Sequence, residues 1–166
     1  MTGEEDLTHL DADGRARMVD VGGKDATERV AVARALLHVS PRTAELLAEG
    51  ALPKGDALPV ARLAGIQAAK RTAELIPLCH QVALTAVDVD VEVDREAGVA
   101  TVEATAHARD RTGVEMEALV AASVGALALY DMVKAVERGA WIGEVALVEK
   151  RGGVRGDWRR DAGDGR

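Results

Sequence analysis

Aromatic side chains are almost missing: 166 residues contain two Trp, one Tyr and no Phe. Modules that read single-stranded nucleic acid stack bases on aromatic platforms, and this chain has little to offer them. Positive charge is also short. Twenty-one basic against 28 acidic residues leave a net charge of −7, which opposes a broad surface for DNA or RNA. It does not oppose a local cationic pocket. The single cysteine, Cys79, excludes an intramolecular disulfide. With no secretory leader in view, it points to a reducing cytoplasm. No apolar run reads as long enough to span a bilayer; the longest weakly polar stretch, 118–130, reads as a buried helix. There is no HExxH, CxxC, Walker loop, GxSxG or strand-linked GxGxxG. His9, His38 and His107 have no second ligand at metal spacing, so no metal site is expected.

What is present is aliphatic. With 48% hydrophobic residues and few rings, the core must be built from Val, Leu, Ile and much Ala, so its elements must approach closely. Residues 1–16 read as a loose arm, 17–150 as one domain, and 151–166 as a mobile Gly/Arg-rich tail. Residues 28–39 read as a strand, marked by Val30, Val32, Leu36 and Leu37. Ser40-Pro41 opens a short helix that Gly50 closes. Asp56 caps a second helix to about Glu74. Strands follow in QVALTAVDVDVEVD, with a parity change between Ala86 and Val87 that suggests a bulge, and in 99–110 beyond a DREAG turn. Thr112 starts a long helix ending near Gly139, and a last strand covers 141–149.

Without the short helix the order is β-α-β-β-α-β. That predicts an α+β, ferredoxin-like fold: one antiparallel sheet with helices on one face. The long helix is apolar or small nearly all round, which calls for burial on more than one side and hence for an oligomer.

Five lysines stand among 16 arginines. Lys can give up its proton when its pKa falls, whereas Arg effectively cannot. Lys54 lies in a Pro-Lys-Gly-Asp loop. Lys134 is at i+3 from Asp131, so the two share a helix face, as a plain ion pair or as a pair lining a pocket. Lys150 leads into Arg151-Gly152-Gly153, where backbone N–H groups can approach an anion. Glu115 fits a capping box with Thr112. Glu117 and Asp131 are 14 residues apart, about 21 Å along a helix, so a site using both would span two subunits. Cys79 reads as buried filler. His80, at the end of a turn, suits proton transfer or phosphate binding.

The strings MVDVGGKDATERVAVARA, LPKGD, ARLAGIQAAKRTAELIPLCH, RTGVEMEALVAASVGALALYDMVKAV and EKRGGVRGDW resemble, in order, those of the cyclic pyranopterin monophosphate synthase family, molybdenum cofactor biosynthesis protein C. The resemblance covers residues 7–158. It implies conversion of (8S)-3′,8-cyclo-7,8-dihydroguanosine 5′-triphosphate to cyclic pyranopterin monophosphate and diphosphate. It also implies a hexamer, a trimer of dimers with sites at dimer interfaces. It gives Asp131, Lys54, Lys134, His80 and Glu115 as catalytic, and Leu78, Cys79, His80, Met116, Glu117 and Lys150 as substrate-binding. No cofactor is required, although Mg²⁺ can accompany the substrate phosphates. Gln81 replaces the family's usual Pro. In the tail, Arg151 replaces Ser and Val154 replaces Lys, leaving Arg151 or Arg155 as alternative phosphate ligands. A noncatalytic nucleotide sensor and a structural oligomerisation domain are the competing readings. The sensor needs cations more than a matched acid/base set, and the structural domain does not explain the polar loop motifs.

Overall fold

The computed structural model describes residues 13–154 and 156–161. Most of the expected arm, with His9, lies outside the described residues, as do Arg155 and 162–166. Strand β1, Thr27–His38, alternates as expected, but its core face differs. Ala31, Ala33, Ala35 and Leu37 are fully buried, whereas Val30, Val32 and Leu36 lie half-buried on the opposite face. Small side chains occupy the face where helices must come close.

Helix α1, Pro41–Ala48, begins where Ser40 accepts a hydrogen bond from the Thr43 N–H. Pro41 takes the first turn, where no N–H is needed, and Gly50 (φ +63°) turns the chain away. Helix α2, Ala57–Ala69, is capped by Asp56. It stops earlier than Glu74, and a one-turn helix α3, Thr72–Leu75, follows. The buried Thr72 hydroxyl donates to the Ala69 carbonyl at 2.9 Å, a local bond that competes with continued helix.

Strands β2, Leu84–Asp94, and β3, Val99–Asp110, form a hairpin. The Asp94 carboxylate accepts from the Glu96 and Ala97 N–H groups at 3.0 and 2.9 Å, and Gly98 closes the turn at φ +66°. The register shifts between Leu84 and Ala86, just before the expected position. Helix α4 runs Glu115–Val133, starting three residues after Thr112 and ending well before Gly139. Strand β4, Trp141–Arg151, completes the expected set. A fifth strand, β5, Trp158–Arg159, pairs antiparallel with β4, so part of the tail read as mobile is fixed on the sheet.

Sheet order is β2-β3-β1-β4-β5, with every neighbouring pair antiparallel. The first four strands have the ferredoxin-like order, with α2 and α4 packed on each other and on the sheet. Gly65 of α2 sits against the Ala121 carbonyl of α4, and Gly125 of α4 sits over Val102 and near the Ala61 carbonyl of α2. Leu37, Leu47 and Leu129 are fully buried, each contributing roughly 1.5–3 kcal/mol by area removed from water. By length and composition α4 could cross a membrane, contrary to the expectation that no run would suffice. Ten of its 19 residues are nevertheless buried in the fold, so it is built as a core helix.

Candidate active site

The loop after α3 and the start of α4 meet at a cavity of about 490 Å³. Val19, Val21, Ile76, Leu78, Val82 and Met116 make an apolar slot, with Cys79, His80 and Glu115 beside it. A second cavity of about 550 Å³ shares Lys24, Thr112, Gly113 and Glu115 with the first. Its wall is cationic: Lys24, Arg29, Arg111 and Lys150, closed by Gly152 and Gly153. The pair thus forms an apolar compartment opening into one suited to phosphates.

His80 Nε2 lies 2.6 Å from the Val19 carbonyl. A carbonyl only accepts, so Nε2 carries the proton in this contact. Glu115 does not complete the capping box. The residue before α4 is Val114, with no side-chain cap. The Glu115 carboxylate instead folds over Gly113 and reaches Lys150 at 3.7 Å. Opposite charge in the cavity wins over a local cap.

Glu117 is only 3% exposed. Burial pushes its carboxyl upward, reinforced by the negative charges of Glu115 and Asp110, against a bond to its own backbone N–H. Burial also raises the Cys79 thiol, helped by the charge of Glu117. A thiol held protonated is a poor nucleophile, but the side chain is half-buried at the cavity wall and not the buried filler expected.

Lys54, Asp131 and Lys134 assemble at the other end of α4. Lys54 Nζ donates to Asp131 Oδ2 at 2.7 Å and to the Asp131 carbonyl at 2.8 Å. Lys134 Nζ is 2.6 Å from Asp131 Oδ1. Hydrogen bonds from Lys134 and then Lys54 hold the Asp131 carboxyl down at about 2. All three side chains are about half-exposed.

The structure therefore brings together Leu78, Cys79, His80, Glu115, Met116 and Lys150, with Glu117 buried next to them. Lys54, Asp131 and Lys134 form a separate group. From Glu115 to Asp131 is 16 residues, about 24 Å of helix.

Lys24, Arg29 and Arg111 escaped the sequence reading. Arg29 had a legible signal: it shares the odd-numbered, core-facing parity of Ala31 to Leu37 and is 8% exposed. Its Nε donates to the Asp110 carbonyl at 3.2 Å. Arg111 Nε donates to the Lys24 carbonyl at 2.9 Å, holding that segment at the cavity. In the tail, Gly152 and Gly153 have φ of +88° and +86°. A side chain at Gly152 would run into the Glu28 carbonyl, and one at Gly153 into the Arg29 guanidinium. Arg151 pairs with Glu149 at 2.7 Å. Val154 is 89% exposed on the rim of the cationic cavity, and Gln81 is exposed. His38 stacks on Trp141, ring centres 4.0 Å apart. Among the described residues, no group of three or more His, Cys, Asp or Glu is placed to hold a metal ion.

The MoaC family model matches residues 18–153. The chain is 57% identical over 153 residues to a cyclic pyranopterin monophosphate synthase of Parvibaculum lavamentivorans, covering 92% of this chain and 96% of that protein. It is 55% identical over 161 residues to the protein of that name in Thermomicrobium roseum, covering 97% of each. It is also 57% identical over 156 residues to molybdenum cofactor biosynthesis protein 1 of Bos taurus, covering 94% of this chain and a quarter of that longer protein.

Proposed function

The chain belongs to the MoaC family, and from that premise we propose that it is a cyclic pyranopterin monophosphate synthase of molybdenum cofactor biosynthesis. It takes the 3′,8-cyclised dihydro-GTP intermediate to cyclic pyranopterin monophosphate and releases diphosphate. The observation that carries this reading is the apolar slot opening into a cationic compartment. A guanine-derived ring system suits the slot between Leu78 and Met116. The triphosphate suits Lys24, Arg29, Arg111 and Lys150, whose fixed charges favour the developing charge on the leaving diphosphate.

Ring opening and reclosure need groups that give and take protons. His80 and Glu115 stand at the slot for this, and Lys54 and Lys134 at the other end of α4. Asp131, its carboxyl held at about 2, stays ionised at neutral pH. Its work is to hold both lysines rather than to donate a proton. Leu78, Cys79, Met116, Glu117 and Lys150 shape and bind the substrate. The reaction is a net rearrangement with no redox change, so we propose no resident cofactor. Mg²⁺ would arrive on the substrate phosphates.

We further propose that the enzyme is a cytoplasmic homo-hexamer, a trimer of dimers. The Asp131 end of α4 in one protomer would face the His80 cavity of its partner. The length of α4 between the two groups supports this, as does the apolar exposure of Leu63 and Leu127 on the helix layer. Mass-spectrometric product analysis with the cyclised intermediate tests the function. Wild type should release cyclic pyranopterin monophosphate and diphosphate. Lys134→Arg, which keeps the charge but cannot exchange a proton near neutrality, should lose about 10²–10⁴-fold in kcat. Substrate binding without any product would favour a sensor.

A further inference from the structure

We propose that Glu137 is a positioning residue that holds the Lys54–Asp131–Lys134 group in register by clamping the start of α1 to the end of α4; this rests on the functional reading above. Glu137 lies four residues beyond the last residue of α4, on a hydrogen-bonded turn: its N–H donates to the Val133 carbonyl at 2.9 Å. Its carboxylate accepts from the Ser40 N–H at 3.0 Å on both oxygens and from the Ser40 hydroxyl at 2.8 Å. Ser40 is the N-cap of α1, so the carboxylate meets the positive end of that helix. The hydrogen bonds from Thr43 and Ser40 outweigh partial burial and hold the Glu137 carboxyl below its ordinary range.

The consequence lies at the far end of α1. That helix leads through residues 49–53 to Lys54, which donates to Asp131. The two segments are thus tied twice: Ser40 to Glu137, and Lys54 to Asp131. Lys134 stands between Asp131 and Glu137 in the chain, so the clamp grips α4 just beyond the pair that receives Lys54. Lys54 comes from an exposed loop and Lys134 from the turn after α4. Lys134 is held by α4 through its N–H on the Tyr130 carbonyl at 2.9 Å, whereas Lys54 has no regular element of its own to fix it. Small errors in such placement are costly, because a shift of about 1 Å at reacting groups can lose about 100-fold in rate.

The test uses the full-length enzyme and two independent readouts. Glu137→Gln keeps the size but turns an amide N–H₂ toward a donor. Ser40→Ala removes the hydroxyl bond to Glu137 together with the N-cap bond from the Thr43 N–H, and leaves the Ser40 N–H on the carboxylate; Ser40→Thr restores both hydroxyl contacts. The first readout is steady-state turnover of the cyclised intermediate. Glu137→Gln should lower kcat roughly 10–100-fold with KM within about twofold. Ser40→Ala should fall less, and Ser40→Thr should recover wild-type kcat. The second is the titration of the Asp131 carboxyl by ¹³C NMR, which needs no substrate. Loosening Lys54 should raise it above the wild-type value in Glu137→Gln and, less, in Ser40→Ala. A local structural role for Glu137 would leave that titration unmoved. Unchanged Asp131 titration, or a rise in KM at constant kcat, overturns the proposal. If Glu137→Gln does not fold, Ser40→Ala and Ser40→Thr decide by the same two readouts. If wild type forms no product, the functional reading fails, while the Asp131 titration still decides whether Glu137 sets this geometry.

Discussion

Glu117 is a carboxyl on α4 with almost no access to water, and its ionisation works against the fold. Its carboxyl is raised by burial first and by Glu115 and Asp110 after that. A carboxyl raised on folding binds its proton more tightly in the native state. Its favourable contribution is therefore complete below the unfolded pKa of about 4.3 and is lost as pH rises through the higher native value. Glu117→Gln carries no charge to desolvate. It should be more stable than wild type in urea at pH 8, with the difference shrinking toward zero by pH 4. An equal difference at both pH values would mean that Glu117 is ionised without cost. Arg29 faces the same burial and is resolved differently. It cannot lose its proton, so it remains a fixed cation at the cavity, with its Nε on the Asp110 carbonyl. A charged residue in a row of core-facing positions is a stronger functional signal than an exposed one, and the row from Arg29 to Leu37 carried it in plain view.

The aromatic-poor composition has its structural answer where α2 crosses α4. Gly65 faces the Ala121 carbonyl, and a Cβ there would lie 2.9 Å from that oxygen and 3.0 Å from Val89 Cγ2. Backbone cannot swing aside as a side-chain tip can. Gly65→Ala should gain up to about 1 kcal/mol in helix propensity and lose about 1–3 kcal/mol to overpacking. The net expectation is destabilisation of up to about 2 kcal/mol, read as a lower denaturant midpoint with an unchanged slope. A stabilised variant would mean that the crossing has slack. The close approach of elements was legible from the scarcity of aromatics and the Ala content, and so were β3, the hairpin turn and both Ser40 and Asp56 caps, because each has a local chemical cause. The start of α4 was not. Thr112 and Glu115 have the right spacing for a capping box, but Lys150 of β4, 35 residues away, draws Glu115 into the cavity. Strand β5 was also illegible. It is two residues long, too short for a periodic signal, and is held by pairing to β4 and by the bond from the Arg160 N–H to the Val148 carbonyl at 2.8 Å.

At the scale of the whole molecule, the proposed reaction calls on two groups of residues at opposite ends of one helix. Glu115 and Asp131 are separated by about 24 Å of α4, and the helix is well buried in the core and cannot bend to bring them together. A two-fold pairing of protomers solves this if the Asp131 end of each faces the Glu115 end of the other. Isosteric variants make the test clean: Glu115→Gln damages one half-site, and Asp131→Asn the other. Each homo-oligomer should be nearly inactive. After subunit exchange at equal ratio, about half of the dimers would be mixed. Every mixed dimer would contain one site with both lesions and one with neither, so activity should return to roughly a quarter of wild type, given independent sites. Native mass spectrometry of differently tagged chains would verify the mixing. Recovery near a quarter would place the two groups in one site across an interface. No recovery despite confirmed mixing would mean that each site draws both groups from one chain. The length of α4 would then require a substrate long enough to bridge about 24 Å, or one of the two groups would have no part in the reaction.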